Sequence, residues 1–77
     1  MPHVIVKLHA GRSEPLKTRL AEEITKAVTA VLKLDADSVS VAIEDVRPAD
    51  WADKVYKPDI LGGAGKLYKK PGYAPPA

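Results

Sequence analysis

Pro2 is the first residue whose chemistry attracts attention, because it follows the initiator methionine directly. A small second residue permits removal of that methionine, which leaves a secondary amine at the chain terminus. An ordinary α-amino group titrates near pH 7.7–8.0, and burial beside apolar groups lowers its pKa. Pro2 is therefore a candidate general base and acid. The alternative is a proline that only begins a strand, where its missing N–H matters least.

Arg12 lies ten residues further on, between a strand-like segment and a helix start. A guanidinium holds a carboxylate through two parallel hydrogen bonds, and the N–H groups of a helix start add a weak preference for anions. We predict that Arg12 binds a carboxylate, with a solvent-facing loop arginine as the alternative.

Trp51 and His9 are the ring-bearing candidates. Trp51 is the single tryptophan of a chain that has no phenylalanine. It is predicted either to wall a site or to anchor a subunit interface, and such a ring often does both where a pocket forms between chains. His9 is predicted to line a pocket or to face solvent. Glu44 and Asp45 are adjacent on a predicted strand, so they face opposite ways and do not form a carboxylate pair.

Three segments of regular structure must position these residues. Apolar and polar residues alternate over 2–9 and again over 38–46, which predicts two strands. Apolar residues recur at three- and four-residue spacings over 13–33, which predicts a long amphipathic helix that Ser13 caps. The order strand, helix, strand implies a parallel pair with a right-handed crossover and hence an α/β fold class.

The rest of the chain, residues 47–77, is predicted as loop, one short helical turn and a C-terminal arm. The turn is expected in PADWADKVY, the loop in PDILGGAG at 58–65, and the arm from Lys66 to Tyr73. Residues 1–77 are predicted to form a single domain.

Size and composition predict oligomerisation. A 77-residue chain builds only a marginal core. The chain has no cysteine for disulfides, and no metal set is expected from its two histidines. The helix is expected to cover one face of the sheet, and no segment is expected to cover the other. A two-stranded sheet is not stable alone, so a second subunit is predicted to complete it.

Several partners and locations are not expected. The net charge of +2 is modest and its lysines are spaced, so nucleic acid is not predicted as a partner. No apolar run reaches the roughly 20 residues of a membrane span, and no signal peptide pattern opens the chain. A cytoplasmic protein is therefore expected.

The sequence resembles the 4-oxalocrotonate tautomerase family in several features taken together. These are Pro2, the Gly11-Arg12-Ser13 step, the long helix and the stretch SVSVAIEDV. The resemblance covers about residues 2–60, and the KKPGY tail resembles the somewhat longer subgroup. It implies a β-α-β protomer that pairs with others across the sheet. A homodimer is the first expectation for that subgroup and a hexamer the second.

The resemblance also implies a mechanism without a cofactor. Pro2 would move a proton between the enol and keto forms of a small 2-oxo acid, Arg12 would hold its carboxylate, and Trp51 would make the pocket apolar. Some family members carry a second arginine in the second strand, where this chain has Ser40. A hydroxyl supplies no positive charge, so a monocarboxylate such as an arylpyruvate enol fits better than a dicarboxylate. The alternative is that a Lys or Arg of a neighbouring subunit compensates, with Arg47 the nearest candidate in sequence.

Two other functions stay open at this point. Some relatives hydrate or dehalogenate short unsaturated acids, which needs a protonated Pro2 and a carboxylate that activates water. A chain that retains Met1 has no basic proline nitrogen, because that nitrogen is then an amide. Such a chain would be a non-enzymatic oligomeric binding module.

Overall fold

The computed structural model describes residues 1–63 and 65–75. It has strand β1 (His3–His9), helix α1 (Glu14–Leu32) and strand β2 (Ser40–Val46). The strands pair in parallel, in a register that runs from His3 opposite Ser40 to His9 opposite Val46. This is a β-α-β unit with one long helix, so the predicted α/β fold class is confirmed. β2 begins two residues later than expected, because Ala36–Ser38 forms a turn of 3₁₀ helix.

Helix α1 is bounded by local signals. The Ser13 hydroxyl accepts a hydrogen bond from the Leu16 N–H at 3.3 Å, which satisfies one of the free donors of the first turn. Past Leu32 the chain turns at Lys33, whose φ of 59° lies in the left-handed region. Lys17 ties the helix to the sheet, since its Nζ lies 2.9 Å from an Asp45 carboxylate oxygen.

The other face of the sheet is partly covered, and here two expectations were wrong. Residues Ala52–Leu61 form a π-helix, so the helical segment continues through the first part of the predicted 58–65 loop. Its last turn is closed by a Gly62 N–H that donates to the Lys57 carbonyl at 2.9 Å. Asp59 of this helix pairs with Lys7 of β1 at 2.6 Å. The chain thus covers one end of the sheet face that was expected to be bare.

The π-helix supplies most of the buried core. Among residues 1–63 and 65–75, the buried apolar side chains are Val46, Val55 and Tyr56. Two of these three lie in the π-helix, which explains why it forms despite Pro58 within it. Just beyond the helix end, a side chain at Gly63 would collide with the Asp59 carbonyl oxygen. The prediction for Ala64 and the last two residues falls outside the described residues.

Much apolar surface remains open on the protomer. α1 has no buried residue, and its exposed large apolar residues are Leu16, Leu20, Val31 and Leu32. On the opposite sheet face Ile5 is also exposed. None of the helices in the described residues has the length and apolarity needed to cross a membrane.

Candidate active site

The first group of site residues lies where the two strands begin, and we call it the proline end: Pro2, His3, Ser38 and Ser40. The Ser40 N–H donates to the Pro2 carbonyl at 3.1 Å, which fixes Pro2 at the start of β1. The Met1 ammonium donates to the Ser38 carbonyl at 2.6 Å. With Met1 attached, the Pro2 nitrogen is an amide. Loss of Met1 would place a secondary amine at this position.

Ser40, the residue at the predicted second substrate contact, already has a partner. Its Oγ lies 2.6 Å from Nδ1 of His3, the residue opposite it in the strand register. Both side chains are exposed. Among the described residues, the side chains beside Pro2 at this end are therefore a hydroxyl and an imidazole, and none is an arginine.

The second group lies where the strands end, and we call it the aromatic end: His9, Trp51 and Tyr73. The rings of His9 and Trp51 meet edge to face, with centroids 4.9 Å apart. The Trp51 indole N–H donates to the Tyr73 hydroxyl at 3.0 Å. Together with Pro48 these residues line an open cavity of about 400 Å³. The cavity is mostly apolar, so it suits the hydrocarbon part of a small acid.

Local structure positions Trp51. It follows a 3₁₀ turn at Pro48–Asp50 that Arg47 and Asp50 brace through an Nε to Oδ2 hydrogen bond of 2.9 Å. Hydrogen bonding to Arg47 lowers the pKa of the Asp50 carboxyl below its ordinary value, and the pairing raises the pKa of Arg47. The turn therefore keeps a charged brace beside Trp51 at neutral pH.

Arg12 lies on the α1 side of the sheet. It follows Gly11, whose φ of 118° requires a glycine and lets the chain turn from β1 into the helix. Arg12 lines a second cavity, of about 350 Å³, with Leu8, Leu16, Leu20, Lys17, Arg19 and Glu23. This cavity is mostly apolar. Lys17 is paired with Asp45, so Arg12 and Arg19 are the cations at the cavity that could hold a carboxylate attached to a hydrocarbon.

The predicted site residues fall into three places in one protomer. His9 and Trp51 are in contact, Ser40 lies beside Pro2, and Arg12 stands apart from both groups. Seven strand residues separate Pro2 from Ala10, which at about 3.3 Å each amounts to roughly 20 Å or more. One copy of the chain does not bring Pro2 within contact of Arg12 or Trp51.

Tyr73 is the site residue that the sequence analysis missed, since it was assigned to a C-terminal arm without a role. The signal available was an aromatic residue directly after the turn-forming pair Pro71-Gly72. Glu44 and Asp45 do not form a carboxylate pair, and Asp45 is bound by Lys17. Among residues 1–63 and 65–75, no cluster of three or more His, Asp or Glu side chains could hold a metal ion.

The sequence matches a known protein family over most of its length. Residues 2–55 match the family described as Tautomerase enzyme. This chain belongs to the tautomerase family. A probable tautomerase of Xylella fastidiosa (strain 9a5c) is 51% identical over 73 residues, which cover 95% of this chain and 89% of that protein. Tautomerases are isomerase-type enzymes, and the chain is similar to this relative over nearly its whole length.

Solved tautomerase structures share the fold. TomN, a 4-oxalocrotonate tautomerase homologue in the tomaymycin biosynthetic pathway, matches with a TM-score of 0.64 and 32% identity, over 65% of this chain and 77% of that one. A heterohexamer 4-oxalocrotonate tautomerase from Chloroflexus aurantiacus J-10-fl matches with a TM-score of 0.65 and 26% identity, over 70% and 87%. The resemblance seen in the sequence is thereby confirmed.

Proposed function

We propose that this tautomerase interconverts the enol and keto forms of a small 2-oxo acid, with the Pro2 amine as general base and acid. The observation that carries the proposal is the fixed position of Pro2 in a tautomerase fold. Its carbonyl is held by the Ser40 N–H, and the residue is half-buried. A terminal amine at this place is rigid, and its pKa is expected to fall as a neighbouring subunit buries it.

The reaction needs only proton transfer. In the keto-to-enol direction, the neutral Pro2 nitrogen takes a proton from the carbon next to the carbonyl. The electron pair of that C–H bond forms the C=C bond, and the carbonyl oxygen takes a proton from a water molecule to become the enol hydroxyl. In the reverse direction that proton returns to water. The reverse reaction returns the proton from the Pro2 ammonium to carbon. No cofactor takes part in these steps.

The charges at the two ends of the sheet favour a monocarboxylate substrate. Arg12 offers a guanidinium for one carboxylate, and the aromatic end offers an apolar cavity. At the proline end, Ser40 is hydrogen-bonded to His3 and supplies no cation for a second carboxylate. An arylpyruvate enol combines one carboxylate with one apolar ring and fits this arrangement.

A second copy of the chain is proposed to complete the site. Within the described residues the sheet has two strands, so β1 has one edge without a strand partner. When two copies pair through the same strand edge about a two-fold axis, the strands run antiparallel. The proline end of one protomer then lies beside the partner's His9, Trp51 and Arg12. This pairing also gives a four-stranded sheet with both helices on one face.

The exposed apolar residues of α1 support this pairing. Leu16 is 50% exposed and Leu20 is 37% exposed in the protomer, and adjacent helices on one face of a dimer would cover them. A homodimer is the simplest assembly that does so. A hexamer of three such dimers is the second candidate, in line with the heterohexameric relative.

The test is ketonisation of phenylenolpyruvate by the wild type, Pro2→Ala and Pro75→Ala, with the intact mass of each protein measured. We expect a mass that lacks one methionine and a loss of about a hundredfold or more in kcat/KM for Pro2→Ala, the range of general acid–base contributions. Pro75 is exposed in the tail, so its replacement controls for loss of a proline.

Two outcomes would contradict the proposal. One is a Pro2→Ala enzyme with the wild-type rate, since the secondary amine of proline is then not required for the proton transfer. The other is an active wild type with Met1 fully retained, because an amide nitrogen is not a base.

A further inference from the structure

The contacts of Tyr73 have a consequence beyond the proton transfer at Pro2. Tyr73 lies far from Trp51 in sequence, yet its hydroxyl accepts the hydrogen bond of the only indole in the chain. Its ring also meets that of Tyr56, with centroids 5.6 Å apart at 59°. Tyr56 is only 6% exposed. The Tyr73 phenol is therefore held between the buried ring of Tyr56 and the indole N–H of Trp51.

The direction of the hydrogen bond determines what the phenol can still do. An indole N–H only donates, so the Tyr73 oxygen must be the acceptor in this pair. The phenol keeps one O–H proton to donate elsewhere. Among residues 1–63 and 65–75 this proton has no hydrogen-bond acceptor, and Tyr73 is 48% exposed at the cavity. The O–H is thus available to a molecule that enters the cavity.

The cavity has few other donors for a substrate oxygen. Pro48 has no N–H, and the Trp51 N–H is already bound to Tyr73. His9 is the remaining polar side chain, and its ring packs edge to face against the indole of Trp51. Within one protomer Ser40 lies at the opposite end of the sheet, and in the proposed dimer the partner's Ser40 is already hydrogen-bonded to the partner's His3. A 2-oxo acid that places its hydrocarbon against Trp51 therefore has the Tyr73 hydroxyl as a donor in the same cavity.

We propose that Tyr73 is a specificity-determining residue that donates its hydroxyl proton to the 2-oxygen of the bound acid. This proposal rests on the proposed function, since it assumes a 2-oxo acid as substrate. It assigns to Tyr73 the selection of acids that carry an oxygen on the carbon next to the carboxylate. The hydrogen bond from Trp51 polarises the phenol and strengthens it as a donor.

The test compares two unreactive ligands that differ by that oxygen: 3-phenyllactate, with a 2-hydroxyl, and 3-phenylpropanoate, without it. Trp51 is the single tryptophan, so its fluorescence reports binding at the cavity directly. The proteins are the wild type, Tyr73→Phe and the matched control Tyr68→Phe. Tyr68 lies in the same arm and is 94% exposed. Circular dichroism confirms that all three fold alike.

We expect Tyr73→Phe to weaken 3-phenyllactate binding about tenfold, which is the factor for one neutral hydrogen bond. Binding of 3-phenylpropanoate should change less than twofold, and Tyr68→Phe should change neither. Equal weakening of both ligands would overturn the proposal, because Tyr73 then only supports Trp51. No weakening of either ligand, or no binding of either to the wild type, would overturn it as well.

The result of the binding test is independent of the activity test of the proposed function, because neither ligand reacts and the measurement does not involve Pro2. An enzyme that loses activity in Pro2→Ala but shows no ligand discrimination at Tyr73 keeps the proposed function and loses this inference. An enzyme that discriminates between the ligands but needs no Pro2 gives the opposite result.

Discussion

The two ends of the sheet are built by different means. At the proline end, neighbours in the strand register hold one another through backbone and small polar groups, as in Ser40 to Pro2 and His3 to Ser40. At the aromatic end, rings from positions 9, 51 and 73 meet across long stretches of chain. One protomer therefore carries two different parts of a site. The proline end has the position of the Pro2 amine, and the aromatic end has the apolar cavity.

The largest effect is expected from a mixture of two impaired variants, which tests whether the two parts of the site combine between copies. Pro2→Ala and Arg12→Ala are unfolded together and refolded. In the mixed dimer, one site joins the intact Pro2 of one chain to the partner's intact Arg12. Random pairing makes half of the dimers mixed with one good site each, so about a quarter of wild-type activity should return.

Each variant refolded alone serves as the control. At a phenylenolpyruvate concentration well below KM, each should keep about a tenth of wild-type activity or less. A mixture that regains nothing would show that Pro2 and Arg12 act within one copy, against the separation seen along β1. Sedimentation of the refolded samples shows whether dimers or hexamers have formed.

Arg12→Ala is expected to act next most strongly, and mainly on binding. A charge-assisted contact to a carboxylate is worth about 1.5–3 kcal/mol, so KM for phenylenolpyruvate should rise about 10- to 100-fold with a smaller change in kcat. Lys69→Ala provides the control for loss of a cation, since Lys69 is exposed in the tail, and it should change KM less than twofold. Equal loss of activity toward a neutral enol would show that Arg12 does not recognise the carboxylate.

Val55→Ala tests what supports the aromatic end. Val55 is 6% exposed in the π-helix, and removal of its two methyl groups should lower the free energy of unfolding by about 2 kcal/mol. Urea unfolding followed by circular dichroism measures the change. Leu61→Ala in the same helix is the control, since Leu61 is 67% exposed. A Val55→Ala protein as stable as the control would show that this helix contributes little.

The smallest effect is expected from Asp50→Asn, which removes the brace beside Trp51. Arg47 lowers the pKa of Asp50 in the folded chain, so the contribution is present above the ordinary carboxyl pKa. It is lost as pH falls below about 4, through the folded value. Thermal melts should show a slightly lower Tm for the variant at pH 7, and the difference should shrink toward pH 3. A difference that is constant with pH would contradict the ion-pair explanation.

Which elements of the fold could be predicted from the sequence depends on how far apart in the chain the residues that stabilise them lie. The strands and α1 could be predicted, because alternation, a 3.6-residue period and the Ser13 cap are local signals. The π-helix could not, because Pro58 and the following glycines are typical of a loop. What stabilises it is burial of Val55 and Tyr56 and the Lys7–Asp59 ion pair, formed 52 positions apart.

The same reasoning applies to the candidate site. Residue type and position were enough to nominate Pro2 and Arg12. Tyr73 could not be found this way, since its contacts with Trp51 and Tyr56 exist only once the arm has folded back. The predicted strand over 2–9 already places Pro2 and Arg12 at its opposite ends, whereas the contact between Trp51 and His9 exists only in the folded chain.

The close approach of Gly63 to the Asp59 carbonyl has a consequence for sequence variation. Gly63 has no room for a side chain, whereas nothing lies within 4 Å of where a Cβ would sit at Gly65. The sequence does not distinguish the two glycines, but only Gly63 is required to be a glycine by the atoms around it. In a library of variants selected for folding, position 65 should accept many amino acids and position 63 almost none.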